Sequence, residues 1–162
     1  MARYALAKRR LQGEIMDSPA LDPRHHADAL TGLARLNALS GAARRLWRQI
    51  ALHARVQPGE RLRVVDVASG GGDLAWGLWT QARRAGVALE IRGIDVSSTA
   101  CAFAARRCRA AGAAIRFERA DALADPIPGA DVAISSLFLH HLPHEQAAAL
   151  LGKMAAAAPL VV

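Results

Sequence analysis

The stretch VVDVASGGGDLA, residues 64–75, decides how the rest of the chain is interpreted. Valines and one aspartate, Asp66, run directly into three consecutive glycines, and an amphipathic helical pattern follows at once. This order predicts a buried strand, a tight turn and the start of a helix. Gly70 and Gly72 carry no Cβ, so the backbone can approach a ligand there, and the free N–H groups at the helix start face that ligand. The stretch therefore predicts a nucleotide-type binding turn.

Asp66 indicates which kind of ligand this turn binds. The spacing Gly70-x-Gly72-x-x-Ala75 also satisfies the dinucleotide pattern, so a fragment of a dinucleotide-binding oxidoreductase is one alternative. However, a carboxylate four residues before Gly70 would repel a pyrophosphate and attract a ligand that carries an ammonium and a sulfonium group. S-adenosyl-L-methionine is such a ligand.

Taken whole, residues 64–75 resemble the first motif of class I S-adenosylmethionine-dependent methyltransferases, and most closely that of the ubiquinone/menaquinone-biosynthesis type. The family pattern is an acidic residue followed by G-x-G-x-G, and here Ala68 stands at the first glycine, as in the quinone-type enzymes. The resemblance implies that the cofactor binds around this turn. The residues that it assigns to cofactor binding here are Asp66, Ala68, Ser69, Gly70, Gly72 and Asp73.

The end of the second predicted strand resembles the second motif of the same family. Asp95 lies 23 residues beyond Gly72, where a carboxylate can accept both ribose hydroxyls, and Val96 follows it. The alternative is that Asp95 only caps the next helix, although Ser97 and Ser98 are available for that role. We expect Asp95 and Val96 at the cofactor.

Two later segments extend the resemblance. In the segment 119–123, Asp121 is similar to the family residue that accepts a hydrogen bond from the adenine amino group, and the N–H of Ala122 would meet the ring; a simple turn role for Asp121 is the alternative. The segment 131–142, DVAISSLFLHHL, closely resembles the fourth family motif. The resemblance implies that its loop, including Ser135, lines the floor near the transferring methyl group.

His140 and His141 lie in this last loop and are the candidate catalytic residues. A neutral imidazole at this position could remove a proton from a phenol, enol or hydroquinone acceptor. His140 and His144 also have the i, i+4 spacing of metal ligands, but Pro143 stands between them and disfavours a shared helical face. The sequence therefore predicts no metal site.

The core of the chain alternates strands and helices, which predicts a doubly wound α/β fold with a mostly parallel, Rossmann-like sheet covered on both faces. In the complete family fold the sheet has seven strands, and this chain ends at the start of the fifth. We therefore expect a truncated form of the fold. The predicted strands are 62–67, 89–94, 115–119, 131–136 and one from Leu160; the predicted helices are 73–85, 98–111 and 144–157.

Residues 1–58 precede the first strand and are predicted to be helical, whereas residues 59–162 form the cofactor-binding domain. Helices are expected over about 3–16 and 23–39, and a third follows a cap at Ser40. By resemblance this N-terminal segment is a lid over the cofactor and the acceptor. The alternative is that it merely packs on the sheet.

The composition limits the possible partners. The chain has 162 residues, 52% of them apolar, and no run approaches the roughly 18 apolar residues of a membrane span. The N-terminus lacks the apolar centre of a secretion signal, so we expect a cytoplasmic protein. A formal charge of +7 permits nucleic-acid binding, but the arginines are scattered and aromatic residues make up only 4%.

The sequence predicts an S-adenosyl-L-methionine-dependent methyltransferase that acts on a small-molecule acceptor, which is quinone-like, phenolic or polyketide-like. Besides the oxidoreductase fragment, two alternatives remain at this point. One is an RNA methyltransferase, and the other is a non-catalytic module that binds the cofactor without transferring its methyl group.

Overall fold

The structure, a computed structural model, describes Gly32 and residues 41–162. Within this part of the chain, parallel strands form one sheet in the order β3-β2-β1-β4-β5. The strands are β1 (Arg61–Val67), β2 (Ala88–Asp95), β3 (Ile115–Arg119), β4 (Val132–Ser135) and β5 (Leu160–Val161). The helices are α1 (Ala42–His53), α2 (Asp73–Arg84), α3 (Ser98–Ala110) and α4 (His144–Ala157), with a 3-10 turn at Leu139–His141.

The doubly wound α/β fold is confirmed, and the predicted elements agree closely with the observed ones. β3 and α4 have the predicted bounds, while β1 and β2 start one residue earlier than predicted. β4 ends at Ser135 and not at residue 136, because Leu137 adopts a left-handed conformation with φ 56° and turns the chain out of the sheet. Strand order reverses between β1 and β4, which is where ligands bind in open sheets of this kind.

One face of the sheet packs against α1 and α2. Ile50 of α1 is fully buried and Trp47 is nearly so, while Leu46 and Ala54 pack at the margin of the same core. The buried residues that they join are Leu62, Val64, Ala75, Leu78, Ala82, Val87, Leu89, Ile91, Val132 and Ile134. Residues 42–53 thus share the core of the α/β domain, as the packing alternative expected for this part of the N-terminal segment.

The start of α1 differs from the prediction. Gly41, with φ 66°, holds the N-cap position without a side-chain cap, whereas the predicted cap Ser40 lies outside the described residues. The helices expected over 3–16 and 23–39 also lie outside them, apart from Gly32, which is helical. The division of the chain at residue 58 and the lid role remain predictions.

The opposite face of the sheet packs against α4 and, among the described residues, is covered only in part. α4 buries Leu150 and Met154 against Val65, Val67 and Ala133. Beyond α4 the strands carry exposed ion pairs, because the connection from β3 to β4 contains turns and no helix. The pairs are Arg61–Glu90 at 2.7 Å, Arg63–Asp131 at 2.8 Å and Arg92–Glu118 at 3.5 Å.

None of the helices seen in residues 41–162 has the length and apolar character needed to cross a membrane.

Candidate cofactor site

The glycine turn between β1 and α2 is bonded to the end of β2. The N–H of Ser69 donates to the Ile94 carbonyl at 3.0 Å, and the N–H of Gly72 donates to the Ser69 carbonyl at 3.0 Å. Ala68, Gly70 and Gly72 all have positive φ, at 57°, 50° and 73°. Ala68 therefore holds a left-handed conformation that glycine adopts more easily.

The two glycines singled out from the sequence have different roles. A Cβ at Gly70 would meet nothing within 4 Å, so this backbone faces open space, as expected of a ligand turn. A Cβ at Gly72 would lie 2.7 Å from the Phe117 ring and 2.9 Å from the Ala104 Cβ. Gly72 thus permits close packing inside the protein, and its contact with the cofactor remains a prediction.

Gly93 is a second packing glycine, which the sequence analysis missed. A Cβ there would lie 2.5 Å from the Phe117 ring and 2.8 Å from the Ser69 Oγ. A glycine inside a strand pattern is a signal of close approach and could have identified it. Phe117 on β3 therefore lies beneath the ligand turn and sets how closely the turn approaches β2 and β3.

Asp95 fixes the glycine turn in place. Its Oδ2 accepts the N–H of Gly70 at 2.8 Å, and its Oδ1 accepts the N–H of Ser97 at 2.8 Å. The N–H of Gly70 is therefore bonded within the protein. Ser97 caps α3 by accepting the Ala100 N–H, so Asp95 does not perform that role. Each carboxylate oxygen keeps a further lone pair that can accept a ligand hydroxyl.

Asp66 is a buried carboxyl group without a matched partner. Only 2% of the residue is exposed, and its Oδ2 has no hydrogen-bond partner in the described part of the chain. Burial, and secondarily the negative charge of Asp95, raise the pKa of Asp66 to about 7. The Ser69 Oγ is also buried without a partner among these residues. Polar atoms left in this state fit a ligand that supplies donors and positive charge.

Asp73 begins α2 and is engaged by the protein. Its Oδ1 pairs with the Arg107 guanidinium of α3, which also lies 5.3 Å from the centre of the Trp76 ring. This contact joins the first turn of α2 to α3. Arg107 was not identified from the sequence, because its partner lies 34 residues earlier in the chain. The cofactor contact predicted for Asp73 remains a prediction.

The end of β3 reaches the same edge of the sheet, since the N–H of Ala120 donates to the Asp95 carbonyl at 3.0 Å. Asp121 is exposed, and its Oδ1 accepts the N–H of Leu123 at 2.9 Å, as the turn alternative expects. Its other oxygen leaves an acceptor for a ligand. Ala122 is buried against α4, whereas Val96 is 62% exposed and presents an apolar surface beside Asp95.

The loop after β4 completes the edge. The Ser135 hydroxyl donates to the Val67 carbonyl of β1 at 3.1 Å, so it joins the two central strands at their ends. The rings of His140 and His141 lie 3.9 Å apart between centroids in the 3-10 turn. His144 belongs to α4, so it does not share a helix with His140, as the intervening proline predicted.

These contacts bring Asp66, Asp95, Gly70 and Ser135 to the carboxyl ends of three adjacent strands. Asp95 accepts the Gly70 N–H, Ser135 donates to Val67, which follows Asp66 in β1, and the charge of Asp95 acts on Asp66. Two carboxyl groups at this edge of the sheet disfavour a pyrophosphate and favour a cation. The residues present therefore fit S-adenosyl-L-methionine, with its ammonium and sulfonium groups, better than a dinucleotide.

We predict that Ala68→Gly raises the free energy of unfolding by about 0.5–1 kcal/mol, because relief of the left-handed conformation exceeds the added entropy of the unfolded chain. Urea unfolding measures the change. Ala111→Gly is the matched control, since Ala111 is exposed at φ −87° and its replacement should lower stability. A loss of stability in both variants would contradict the strain at Ala68.

Asp66→Asn should change how stability depends on pH. The folded protein holds the Asp66 proton to about pH 7, whereas the unfolded chain releases it near 3.8, so stability falls as pH rises between these values. The variant lacks this loss. The difference in free energy of unfolding between the variant and the parent should therefore rise, in favour of the variant, by about 2–3 kcal/mol from pH 5 to pH 8. Urea unfolding at both pH values tests this.

Asp131→Asn is the control for that experiment. The hydrogen bond from Arg63 holds the pKa of Asp131 below its ordinary value, so its contribution is lost only in more acidic solution. Between pH 5 and pH 8 the difference in free energy of unfolding between this variant and the parent should stay constant. The assignment to Asp66 is refuted if Asp66→Asn behaves in the same way.

Comparison with known proteins identifies the family of this chain. Residues 64–158, more than half of the chain, match the family described as "Methyltransferase domain". Demethylmenaquinone methyltransferase of Thermus thermophilus is 38% identical over 101 residues, which are 62% of this chain and 44% of that enzyme. The chain thus spans less than half the length of this curated relative.

Two solved structures with similar sequence identities to this chain share its fold. The S-adenosylmethionine-dependent methyltransferase SibL in its apo form gives a TM-score of 0.63 at 26% identity, covering 87% of this chain and 37% of that one. An O-methyltransferase from neocarzinostatin biosynthesis, in complex with S-adenosyl-L-homocysteine, gives a TM-score of 0.54 at 27% identity. The match covers 61% of this chain and 33% of that one. The chain belongs to the methyltransferase domain family, as a class I member of the group whose cofactor is S-adenosyl-L-methionine.

Proposed function

We propose that this chain binds S-adenosyl-L-methionine at the glycine turn and directs its methyl group to a small-molecule acceptor. The observation that carries the proposal is the buried Asp66 Oδ2, which lies without a partner among the described residues and close to Asp95. A cationic ligand offsets the cost of ionising such a carboxyl group. A turn that binds no ligand would have no need to bury it.

The contacts around the turn give each residue a proposed role in binding. Asp95 is already oriented by two backbone N–H groups, so its remaining lone pairs can accept the ribose hydroxyls. Gly70 leaves the open space for the ligand, and the exposed Val96 offers an apolar surface for a flat ring. Asp66 is placed to attract the ligand's ammonium group.

When bound, S-adenosyl-L-methionine supplies a methyl group that its sulfonium charge already activates. The protein then has to position the acceptor, an orientation effect that can supply several kcal/mol. The loop after β4 is the proposed acceptor side. Leu137 in this loop is 61% exposed and is held at φ 56°, so it presents an apolar contact at the sheet edge.

His140 and His141 are the proposed proton acceptors. Their rings lie next to each other in the 3-10 turn, and His140 is exposed to an incoming molecule. Transfer of a hydroxyl proton to one imidazole nitrogen would leave the acceptor oxygen as the nucleophile. We therefore propose an apolar acceptor with a phenol, enol or hydroquinone group, which includes quinone-like and polyketide-like compounds. A demethylmenaquinone methyltransferase and an O-methyltransferase from neocarzinostatin biosynthesis are among the relatives, which supports this class.

The parent chain is expected to bind S-adenosyl-L-homocysteine, and Asp95→Asn should weaken that binding by roughly 10–100-fold, since a charged acceptor is lost. Isothermal titration calorimetry measures both. Glu90→Gln is the control, because Glu90 is an exposed carboxylate paired with Arg61 and should bind as the parent does. Absence of binding to the parent chain would refute the cofactor site.

The roles of the two histidines are tested by turnover. His140→Ala, His141→Ala and the double variant are assayed with a panel of phenols and hydroquinones; loss of the base should lower turnover by about 10²–10⁴-fold. Their affinity for S-adenosyl-L-homocysteine should match that of the parent. Unchanged turnover in the double variant would eliminate the base role. Binding of S-adenosyl-L-homocysteine without methylation of any acceptor would favour the non-catalytic alternative.

A further inference from the structure

Lys153 of α4 makes three hydrogen bonds to a single turn in the connection from β3 to β4. Its Nζ donates to the carbonyl oxygens of Ala122 at 2.7 Å, Leu123 at 3.0 Å and Asp125 at 2.6 Å. An ammonium group has three N–H donors, so this turn uses all of them. No acidic side chain in the described chain forms an ion pair with Lys153.

The turn presents its carbonyl groups together because it is folded like one turn of a helix. The Asp121 carbonyl accepts the N–H groups of Ala124 at 3.0 Å and Asp125 at 2.7 Å, and the Asp125 Oδ2 accepts the Asp121 N–H at 2.8 Å. The carbonyl groups that follow Asp121 have no such partner within the turn, and they form its negative end. A cation is the group that stabilises such an end.

Apolar packing attaches the turn to α4 but does not orient its peptide groups. Ala122 is 8% exposed and belongs to the same buried cluster as Leu150 and Met154. Ala120 and Ile127, on either side of the turn, pack against the same cluster, so apolar contacts limit the distance of the turn from α4. Three hydrogen bonds from one atom to the turn's carbonyl groups limit its rotation as well.

We propose that Lys153 is a positioning residue for recognition of the adenine ring. By holding the carbonyl groups of residues 122, 123 and 125, it fixes the direction of the Asp121 carboxylate and of the Ala122 N–H. This inference rests on the proposed function, in which Asp121 accepts a hydrogen bond from the adenine amino group. Lys153 itself does not touch the ligand.

The test compares S-adenosyl-L-homocysteine with S-inosyl-L-homocysteine, in which a carbonyl oxygen replaces the adenine amino group. The parent chain should prefer the adenosyl compound by about tenfold or more, because the Asp121 carboxylate accepts from an amino group and repels an oxygen. Asp121→Asn should lose or reverse this preference. Lys153→Met, which keeps the apolar stem without the donors, should reduce the preference severalfold or more, and Lys153→Arg should restore most of it.

A second measurement separates positioning from general stability. Amide hydrogen exchange in the Lys153→Met protein should be faster at Asp121 and Leu123 and unchanged in the core strands. Gln146→Met, an exposed change on the same helix, is the matched control and should alter neither quantity.

The outcomes distinguish the two proposals. If Lys153→Met keeps the parent's preference, the inference is overturned, whatever happens to the melting temperature, while the cofactor site stands. If the parent binds both compounds equally, the assignment of Asp121 fails, and the inference fails with it. If the parent binds neither, the proposed function is refuted.

Discussion

The carboxylate of Asp95 is the interaction on which the site depends. Its two oxygens accept backbone N–H groups from the turn after β1 and from the loop before α3, so one side chain joins two strand ends and a helix start. Asp95 adds a side-chain link just beyond Val67 and Ile94, where β1 and β2 already pair, and Gly70 faces open space. The geometry of the turn is thus set by a residue 25 positions away from it.

Asp66 lowers the stability of the fold in neutral solution, and the rest of the fold compensates for this. A carboxyl group buried at the centre of the sheet, beside a second carboxylate, disfavours its own ionisation and therefore opposes stability in neutral solution. The surrounding core compensates, since Val64, Val65 and Val67 of the same strand are almost fully buried. A residue that costs stability while lying at a ligand edge is the pattern expected of a functional group.

Most of the fold could be predicted from the sequence, because its strands and helices differ strongly in local pattern and are separated by glycine or proline. The site could be predicted only in part. Spacing along the chain placed Asp66, Asp95 and Asp121 at strand ends, but it does not show which side of a turn faces the protein. That is why Gly72 could not be distinguished from Gly70 until Phe117 was located beneath it.

Contacts between residues far apart in the chain could not be predicted either, because local sequence patterns do not show them. The place of Asp73 in the family motif assigns it to the ligand, and nothing local indicates that Arg107 pairs with it. Lys153 lies on a helix with an ordinary pattern, and its role depends on a turn some 30 residues earlier. Such contacts arise from the packing of whole elements and carry no local sequence signal.

Backbone strain marks the place where these elements meet. Three non-glycine residues in the described chain have positive φ, and two of them, Ala68 and Leu137, follow the neighbouring strands β1 and β4. Each costs roughly 1–2 kcal/mol relative to an ordinary conformation. Such strain persists only where the surroundings fix the backbone, as the hydrogen bonds of Ser69 and Ser135 do beside these two residues. Because strand order reverses between β1 and β4, the strain is concentrated at the point where the sheet opens for a ligand.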